Sequence, residues 1–425
     1  MARILVVGGS LGGLLAANIL LRAGHEVQLV EKVAGSLDGR GAGIVTHEAL
    51  FTGLRRAGVT VDETVGVAVA SRRVLAADGS VTACLELPQI LTSWSRLYRL
   101  LRAGFPDERV HGGLAVHRVE DADAGLRVHC APPAPAPGDL RHPVVFEADA
   151  VVASDGIRSA VRQQLLPQVE PAYAGYVAWR GVCDEALLSR HTRETAFGHF
   201  AFGLPAGEQF IGYPVAGPAN DCTPGHRRFN FVWYRAADDA ALQRLMTDAD
   251  GVHHALGIPP NKVSWREIAA MREAGRALLA PQFAEVLEKT AQPFLQPICD
   301  LASPRVAHGR IALMGDAAFV ARPHVGMGVT KAAEDAMALA DALAVHGDDI
   351  AAAWRAYEAA RLGPGEAVVR RARRLGAYMQ AQGRAASPRL PRRTAEGVLA
   401  DTAIDLGGRP WSTWDDEPPD PPLRH

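Results

Sequence analysis

A chain of 425 residues is too long for one hydrophobic core and points to two or three domains. Its 45 Lys and Arg against 47 Asp and Glu leave a net charge of −2, which excludes a broad basic field for nucleic acid or acidic lipid. Five cysteines, at 84, 130, 183, 222 and 299, show no CxxC spacing or close pairing, which argues against a disulfide framework or a structural zinc site and favours a reducing cytoplasm.

Ile4-Leu5-Val6-Val7 is a fully apolar run of the kind expected in a buried parallel strand. The turn Gly8-Gly9-Ser10-Leu11-Gly12-Gly13 follows, then a helical run from Leu14 to Leu21, a stop at Gly24 and a second strand, Val27–Val30, ending at Glu31. Although Ile4–Leu21 carries no charge, four glycines and Asn18 inside it count against a signal or a membrane span. The residue types suit a dinucleotide. Gly8 permits the tight turn, a small residue at Ser10 lets backbone approach a pyrophosphate, and Gly13 lets the helix pack on the sheet. Free N–H groups from Leu11 onward would meet phosphate charge, and Glu31 can accept hydrogen bonds from a ribose diol. Ser10 departs from GxGxxG, but its side chain is small.

A second glycine-rich stretch, Gly39 to Ile44, is expected beside the nucleotide, with Arg40 and Gly43 in contact with it. Thr46-His47 and a helical pattern through Leu54 come next. Between about 60 and 150 short strands surround one helix near Ser95–Leu101, with Leu97, Leu100 and Leu101 on one face. Ala131–Gly138 reads as a surface hairpin loop. From Tyr173 to Arg235 several strand-like runs predict a separate sheet-rich domain. After Pro304 the pattern predicts a strand at Arg310–Met314, an alanine-rich helix from Lys331 to Val345 and another from Ile350 to about Gly376. The Arg/Pro-rich 384–393 and the proline-rich 415–425 predict a mobile tail.

Two further motifs make the reading specific. Ala148–Ser159, containing Ser154-Asp155-Gly156 with Arg162 beyond it, resembles the DG motif of flavoprotein aromatic hydroxylases. Gly315-Asp316-Ala317-Ala318, followed by Pro323-His324-Val325-Gly326-Met327-Gly328, resembles their GD motif and flavin-contacting helix start. With the N-terminal fingerprint these span most of the chain, and the sequence resembles single-component FAD monooxygenases of the 4-hydroxybenzoate hydroxylase superfamily. Tyr173–Val182 and Arg322-Pro323-His324 are similar to its hydroxypyridine hydroxylases.

The expected fold is α/β: a Rossmann-like FAD-binding domain from 1–170 and 295–345, with some substrate-domain strands within 60–110. A sheet-rich substrate domain is expected at 171–294, C-terminal helices at 346–395 and a partly disordered tail at 396–425. The resemblance implies that Asp316 holds the ribityl chain, that Asp155 lies between FAD and the nicotinamide route, and that Arg96 reaches the phosphates or ribose. Pro323 and the N–H groups of Gly326, Met327 and Gly328 would face the flavin N1–C2=O edge, which is anionic when reduced. Two departures stand out: Phe319 replaces the usual histidine after GDAA, and Val329-Thr330 stands where an asparagine is common.

The implied chemistry is reduction of FAD by NADH or NADPH, followed by reaction with O2 to a C4a-hydroperoxide that oxygenates an electron-rich ring. No second GxGxxG occurs, which fits a transient visit by the nicotinamide. A base near the ring hydroxyl assists, and His47, His324 and Tyr213 are the catalytic candidates. Trp179 and Arg180 are explained by strand packing, Lys331 by solvated surface, and His199 and His226 are weaker candidates. The expected partners are a small aromatic substrate and O2, with a homodimer as the assembly the resemblance suggests. Competing readings keep the fold but use a larger polycyclic ring, act as an oxidase or halogenase (the WxWxIP motif is absent), or use FAD only as a redox sensor.

Overall fold

Three sheets organise the chain in the computed structural model, which describes residues 1–39, 43–133, 143–255, 257–380 and 394–414. The first has six strands in the order Ala307–His308, Ile311–Leu313, Ala150–Ala153, Arg3–Val7, Glu26–Glu31 and Val110–Gly112. Arg3–Val7 lies parallel to both neighbours, with Val7 opposite Ala153 on one side and Val30 on the other. This register sets the turn after Val7, Ser154-Asp155 and Glu31 together at one edge, outside the carboxyl ends of parallel strands where ligands bind in such sheets. The central strands, Arg3–Val7 (from Ile4 onward), Ala150–Ala153 and Ile311–Leu313, are buried on both faces, which explains their apolar character.

Helices Leu11–Arg22 and Gly328–His346 pack face to face over this sheet, and small residues let them approach. The helix Glu48–Arg56 also lies on Gly328–His346, where a Cβ on Gly53 would fall 2.8 Å from that of Ala333. The helix Ile350–Gly376 runs over the predicted span and is pinned to the strand edge by the Trp354 indole on Arg310 O (2.9 Å) and the Tyr357 hydroxyl on Leu313 O (2.8 Å).

The second sheet has nine strands, centred on Ala172–Asp184, Arg228–Ala236 and Gln209–Val215, all mutually antiparallel where they pair. Its two faces follow from alternation. In Arg228–Ala236, Phe229, Phe231 and Trp233 point to one side, against helices Trp265–Leu278 and Pro281–Lys289, while Val232 and Tyr234 point to the other. In Gln209–Val215, Phe210 joins the first face, and Ile211, Tyr213 and Val215 the second. That second face turns toward residues 323–329 and the C-terminal segment around Val398–Ala403.

Val67–Leu75 and Val81–Ser93 belong to this nine-stranded sheet, consistent with substrate-domain strands lying within 60–110. At 295, where the second FAD-binding stretch is expected to begin, the chain is still paired in the nine-stranded sheet. Phe294–Ala302 pairs antiparallel with Ala172–Asp184, with Ala178 opposite Gln296, so the chain returns to the first sheet only at Ala307. Backbone pairing decides this where composition alone marked no break. A three-stranded sheet, Ala115–Ala122, Gly125–Ala131 and Val144–Ala148, flanks the first; most of the expected 131–138 loop lies outside the described residues.

Part of the expected tail, up to Trp414, lies within the described residues. Residues 394–414 form a strap, with a helix at Ala395–Asp401, that lies against the nine-stranded sheet and the long helix. Val398, Leu399 and Leu406 are buried there, which is why this segment is ordered. Residues 415–425 lie outside the description. Among the described residues no helix is long and apolar enough to cross a membrane.

Candidate active site

The glycine turn is built for close approach. Gly8 has φ +102°, and a Cβ there would sit 2.4 Å from Ser154 O; a Cβ on Gly13 would sit 1.8 Å from Gly8 O. The helix Leu11–Arg22 starts without a side-chain cap from Ser10 and without an acidic residue in its first turn. Its leading N–H groups therefore remain available to an anion, with the positive end of the helix dipole behind them. The Glu31 carboxylate is fixed by the N–H groups of Gly9 (2.7 Å) and Val33 (2.9 Å) at the end of the second strand. Two cavities meet at Glu31: one of about 420 Å³ holding Gly8, Ser10, Ser154, Asp155 and Trp94, the other of about 580 Å³ toward Tyr98 and Arg102.

The DG and GD motifs converge on this edge. Asp155 Oδ2 accepts the N–H groups of Ala160 (2.8 Å) and Val161 (3.4 Å), and Oδ1 is buried with no hydrogen bond among the described residues. Burial raises the pKa of this carboxyl above its ordinary value. Arg162 ties the motifs together, donating to Ala317 O (3.1 Å) and Ile157 O (2.6 Å). The GD turn is held by Asp335, which accepts the Gly315 N–H (3.0 Å) and pairs with Arg361 (2.7 Å).

Asp316 is half exposed, and its one charged partner among the described residues is Lys331, whose ammonium group lies 3.4 Å away and also donates to Phe319 O. Lys331 is fully buried, so the surface role expected for it is wrong. The sequence signal was its place on the inner face of the alanine-rich helix.

Gly326, at φ +69°, turns the chain into the helix Gly328–His346, which begins without a side-chain cap or a first-turn acid. An orphaned carboxylate oxygen, a cradle that a Cβ would fill and two uncapped helix starts fit a dinucleotide with an anion-prone ring at its far end. Gly8, Ser10, Glu31 and Asp155 line the cavity of about 420 Å³, with Leu11 and Gly13 at the helix start beside it, and Pro323, Gly326 and Gly328 line a second, smaller cavity. Arg96 is not brought to either. Its guanidinium donates to Thr64 O (3.2 Å) and Oγ1 (2.8 Å), and Trp94, at the helix start, takes the cavity-facing place instead. Arg40 lies outside the described residues.

Beside the Gly326–Gly328 turn lies a cavity of about 150 Å³, walled by Phe200, Ile211, Tyr213, Val232 and Tyr234 from the sheet's inner face and by Thr402 and Ala403 from the strap. Gly43 lines it too, and a Cβ there would strike the Tyr213 ring at 2.4 Å. Among the described residues, Arg180, from the strand Ala172–Asp184, is the only charged one in this wall, and it has no hydrogen bond or ion pair with any of them. Packing does not explain it; sequence reasoning missed it because a strand position gives no sign of which face its side chain takes.

Of the three catalytic candidates, Tyr213 is in the wall. Burial raises its pKa, with Arg180 opposing, so it is a neutral hydroxyl at pH 7 and no base. Tyr234 is likewise pushed up to about 12. His47 and His324 stand one layer behind. His324 Nε2 shares a hydrogen bond with the Tyr176 hydroxyl (2.8 Å) and Nδ1 one with Gln209 Oε1 (3.1 Å), while its ring meets Tyr234 edge-on with centroids 4.2 Å apart. His47 Nδ1 and Thr330 Oγ1 share one of 2.9 Å, which gives the Val329-Thr330 departure a structural use. Phe319 packs where a Cβ on Gly365 would lie, 2.3 Å from its ring, so a histidine's polar edge has no place there.

Known proteins resemble this chain in sequence and fold. A family model described as FAD binding domain-like matches residues 173–300, and one described as FAD binding domain matches 296–372. The chain is 30% identical over 379 residues to 2,6-dihydroxypyridine 3-monooxygenase of Paenarthrobacter nicotinovorans, covering 89% of this chain and 91% of that one. It is 26% identical to 6-hydroxynicotinate 3-monooxygenase of Bordetella bronchiseptica, covering 84% and 86%. The solved structure of 2,6-dihydroxypyridine-3-hydroxylase from Arthrobacter nicotinovorans superposes with a TM-score of 0.81 at 29% identity, over 90% of this chain and 93% of that one. The strap lies beyond both matched family segments.

Proposed function

Because the chain belongs to the FAD-binding monooxygenases of the 4-hydroxybenzoate hydroxylase family, we propose that it hydroxylates a small, hydroxylated, electron-rich ring of the hydroxypyridine or phenol type, with NADH or NADPH as reductant. The overall reaction is then RH + O2 + NAD(P)H + H⁺ → ROH + NAD(P)⁺ + H2O. The observation that carries the substrate class is the 150 Å³ aromatic cavity beside the flavin-facing turn. An apolar cavity of about that volume accommodates a benzene ring, so this one suits a single ring better than a polycyclic one. The two relatives named for hydroxylated pyridines support the same class.

FAD, when bound, supplies the electron transfer and oxygen activation. The chain's own residues do the rest. The uncapped start of Gly328–His346 stabilises negative charge at the ring edge. Phe200, Ile211 and Val232 exclude water, and Tyr213 and Tyr234 offer neutral hydroxyls for orientation. Arg180 gives the cavity its positive charge and favours a ring whose hydroxyl has lost its proton, the form most reactive toward an electrophilic oxygen. His324, against Tyr234 and bonded to Tyr176, is placed to pass that proton away from the cavity.

The test is NADH and NADPH oxidation by the FAD-loaded protein with 2,6-dihydroxypyridine, 6-hydroxynicotinate or salicylate, with products identified by mass. The expected result is stimulation by one of them with a product one oxygen heavier, or one that has also lost CO2. Oxidation that no compound stimulates, with no oxygenated product, removes the hydroxypyridine and phenol reading.

A further inference from the structure

One wall of the cavity comes from neither sheet: Thr402 and Ala403 belong to the strap. The side chain that holds them is Arg72, on the strand Val67–Leu75, which is fully buried and pairs with no carboxylate among the described residues. All five of its N–H donors are engaged. Nε (3.0 Å) and Nη2 (2.6 Å) donate to Gln89 Oε1, Nη1 donates to Leu399 O (2.8 Å) and Thr402 O (2.5 Å), and Nη2 donates to Ala403 O (3.0 Å). Its guanidinium also lies over the ring of Phe200, another wall residue, 5.0 Å from the centroid.

A guanidinium buried on neutral oxygens alone is a costly fixture, and burial depresses its pKa to about 9. The backbone it grips is itself strained. Ala403 has φ +50°, a region that non-glycine residues seldom occupy. Its N–H donates to His324 O (2.8 Å), and its Cβ fills the space a Cβ on Gly326 would need, at 2.6 Å. The strap is thus fitted to the flavin-facing turn on one side and locked by Arg72 on the other.

We propose that Arg72 is a positioning residue that sets ring size: it clamps the strap as a separable wall, so that Thr402 and Ala403 limit the cavity to one ring and seal it from water. This rests on reading the 150 Å³ cavity as the substrate site. Nothing in the two sheets replaces that wall when the clamp is absent, so loosening it widens the cavity and admits water beside the flavin turn.

The test compares wild type, Arg72→Gln and Arg72→Lys, each as the FAD-loaded full chain. Amide hydrogen exchange across 394–414 is read without turnover; NADH consumption, product and H2O2 are read with 2,6-dihydroxypyridine and with the two-ring 2-hydroxyquinoline. The expected result for Arg72→Gln is strap exchange faster by about tenfold or more, with the rest of the chain unchanged. KM for the single ring rises, H2O2 per NADH rises several-fold, and relative use of the two-ring compound increases. Arg72→Lys, keeping the charge but fewer donors, falls between. Strap exchange in Arg72→Gln equal to wild type overturns the proposal. If Arg72→Gln does not load FAD, Ala403→Val, which cannot hold φ +50° comfortably, should speed strap exchange while Ala403→Gly does not; identical exchange in both overturns it equally. If wild type oxygenates neither compound, the functional reading loses its support, and the exchange measurement still decides the clamp.

Discussion

Arg180 and His47 show how differently single residues reveal their work. Arg180 stands alone as a cation in an aromatic wall, and hydrogen bonds to a charged group contribute about 1.5–3 kcal/mol. Arg180→Gln should therefore raise KM for an anionic ring by roughly 10- to 150-fold while FAD content stays unchanged. Steady-state kinetics at a pH where the ring is ionised checks this, and an unaltered KM would place the anion elsewhere. His47 is buried, which lowers its pKa from 6.5 and keeps it neutral at pH 7. The unfolded chain takes up this proton as pH falls below about 6.5 and the folded chain resists, so stability is constant above that value and declines as pH drops toward the depressed folded pKa. His47→Gln should narrow the difference in Tm between pH 7 and pH 5, measured by thermal unfolding. His25, His111, His199 and His308 shift in the same direction, so part of the acid sensitivity should remain. The chemistry of the motif residues was legible in the sequence because each needs a special backbone or a charge at a fixed spacing. Arg180 was not, since one residue's shift in strand phase exchanges the cavity for the core packed under the helices on the other face.

At the scale of elements, the opening strand, turn, helix and strand were readable because glycine is required where backbones touch. A Cβ on Gly13 meets Gly8 O at 1.8 Å, a contact that only movement of the helix can relieve. Gly13→Ala should thus lower FAD occupancy and cut the rise in Tm that added FAD produces, read by flavin absorbance and thermal shift; occupancy equal to wild type would mean the helix start is not where the pyrophosphate rests. Phe294–Ala302 was less legible. Its apolar run suits either sheet, and only the antiparallel register with Ala172–Asp184 assigns it. Arg96 was expected at the phosphates or ribose from the family resemblance alone; the cavity-facing position at the helix start is Trp94, and Arg96 turns to Thr64. The strap escaped notice because its surroundings in the sequence are rich in arginine and proline, and its order depends on partners more than 300 residues away, such as Arg72.

Across the whole molecule, the two cavities collect residues from distant stretches of chain: 8–31 and 154–155 in the one proposed for the nucleotide, and 180–234, 323–328 and 402–403 in the one proposed for the ring. Their order of synthesis has a consequence. Every group that cradles FAD leaves the ribosome before Thr402 and Ala403 do. If the proposed site is right, a chain ended after the helix Ile350–Gly376 keeps every residue that lines the dinucleotide cavity and lacks one side of the ring cavity, so the last segment to be made is the one that closes the chamber.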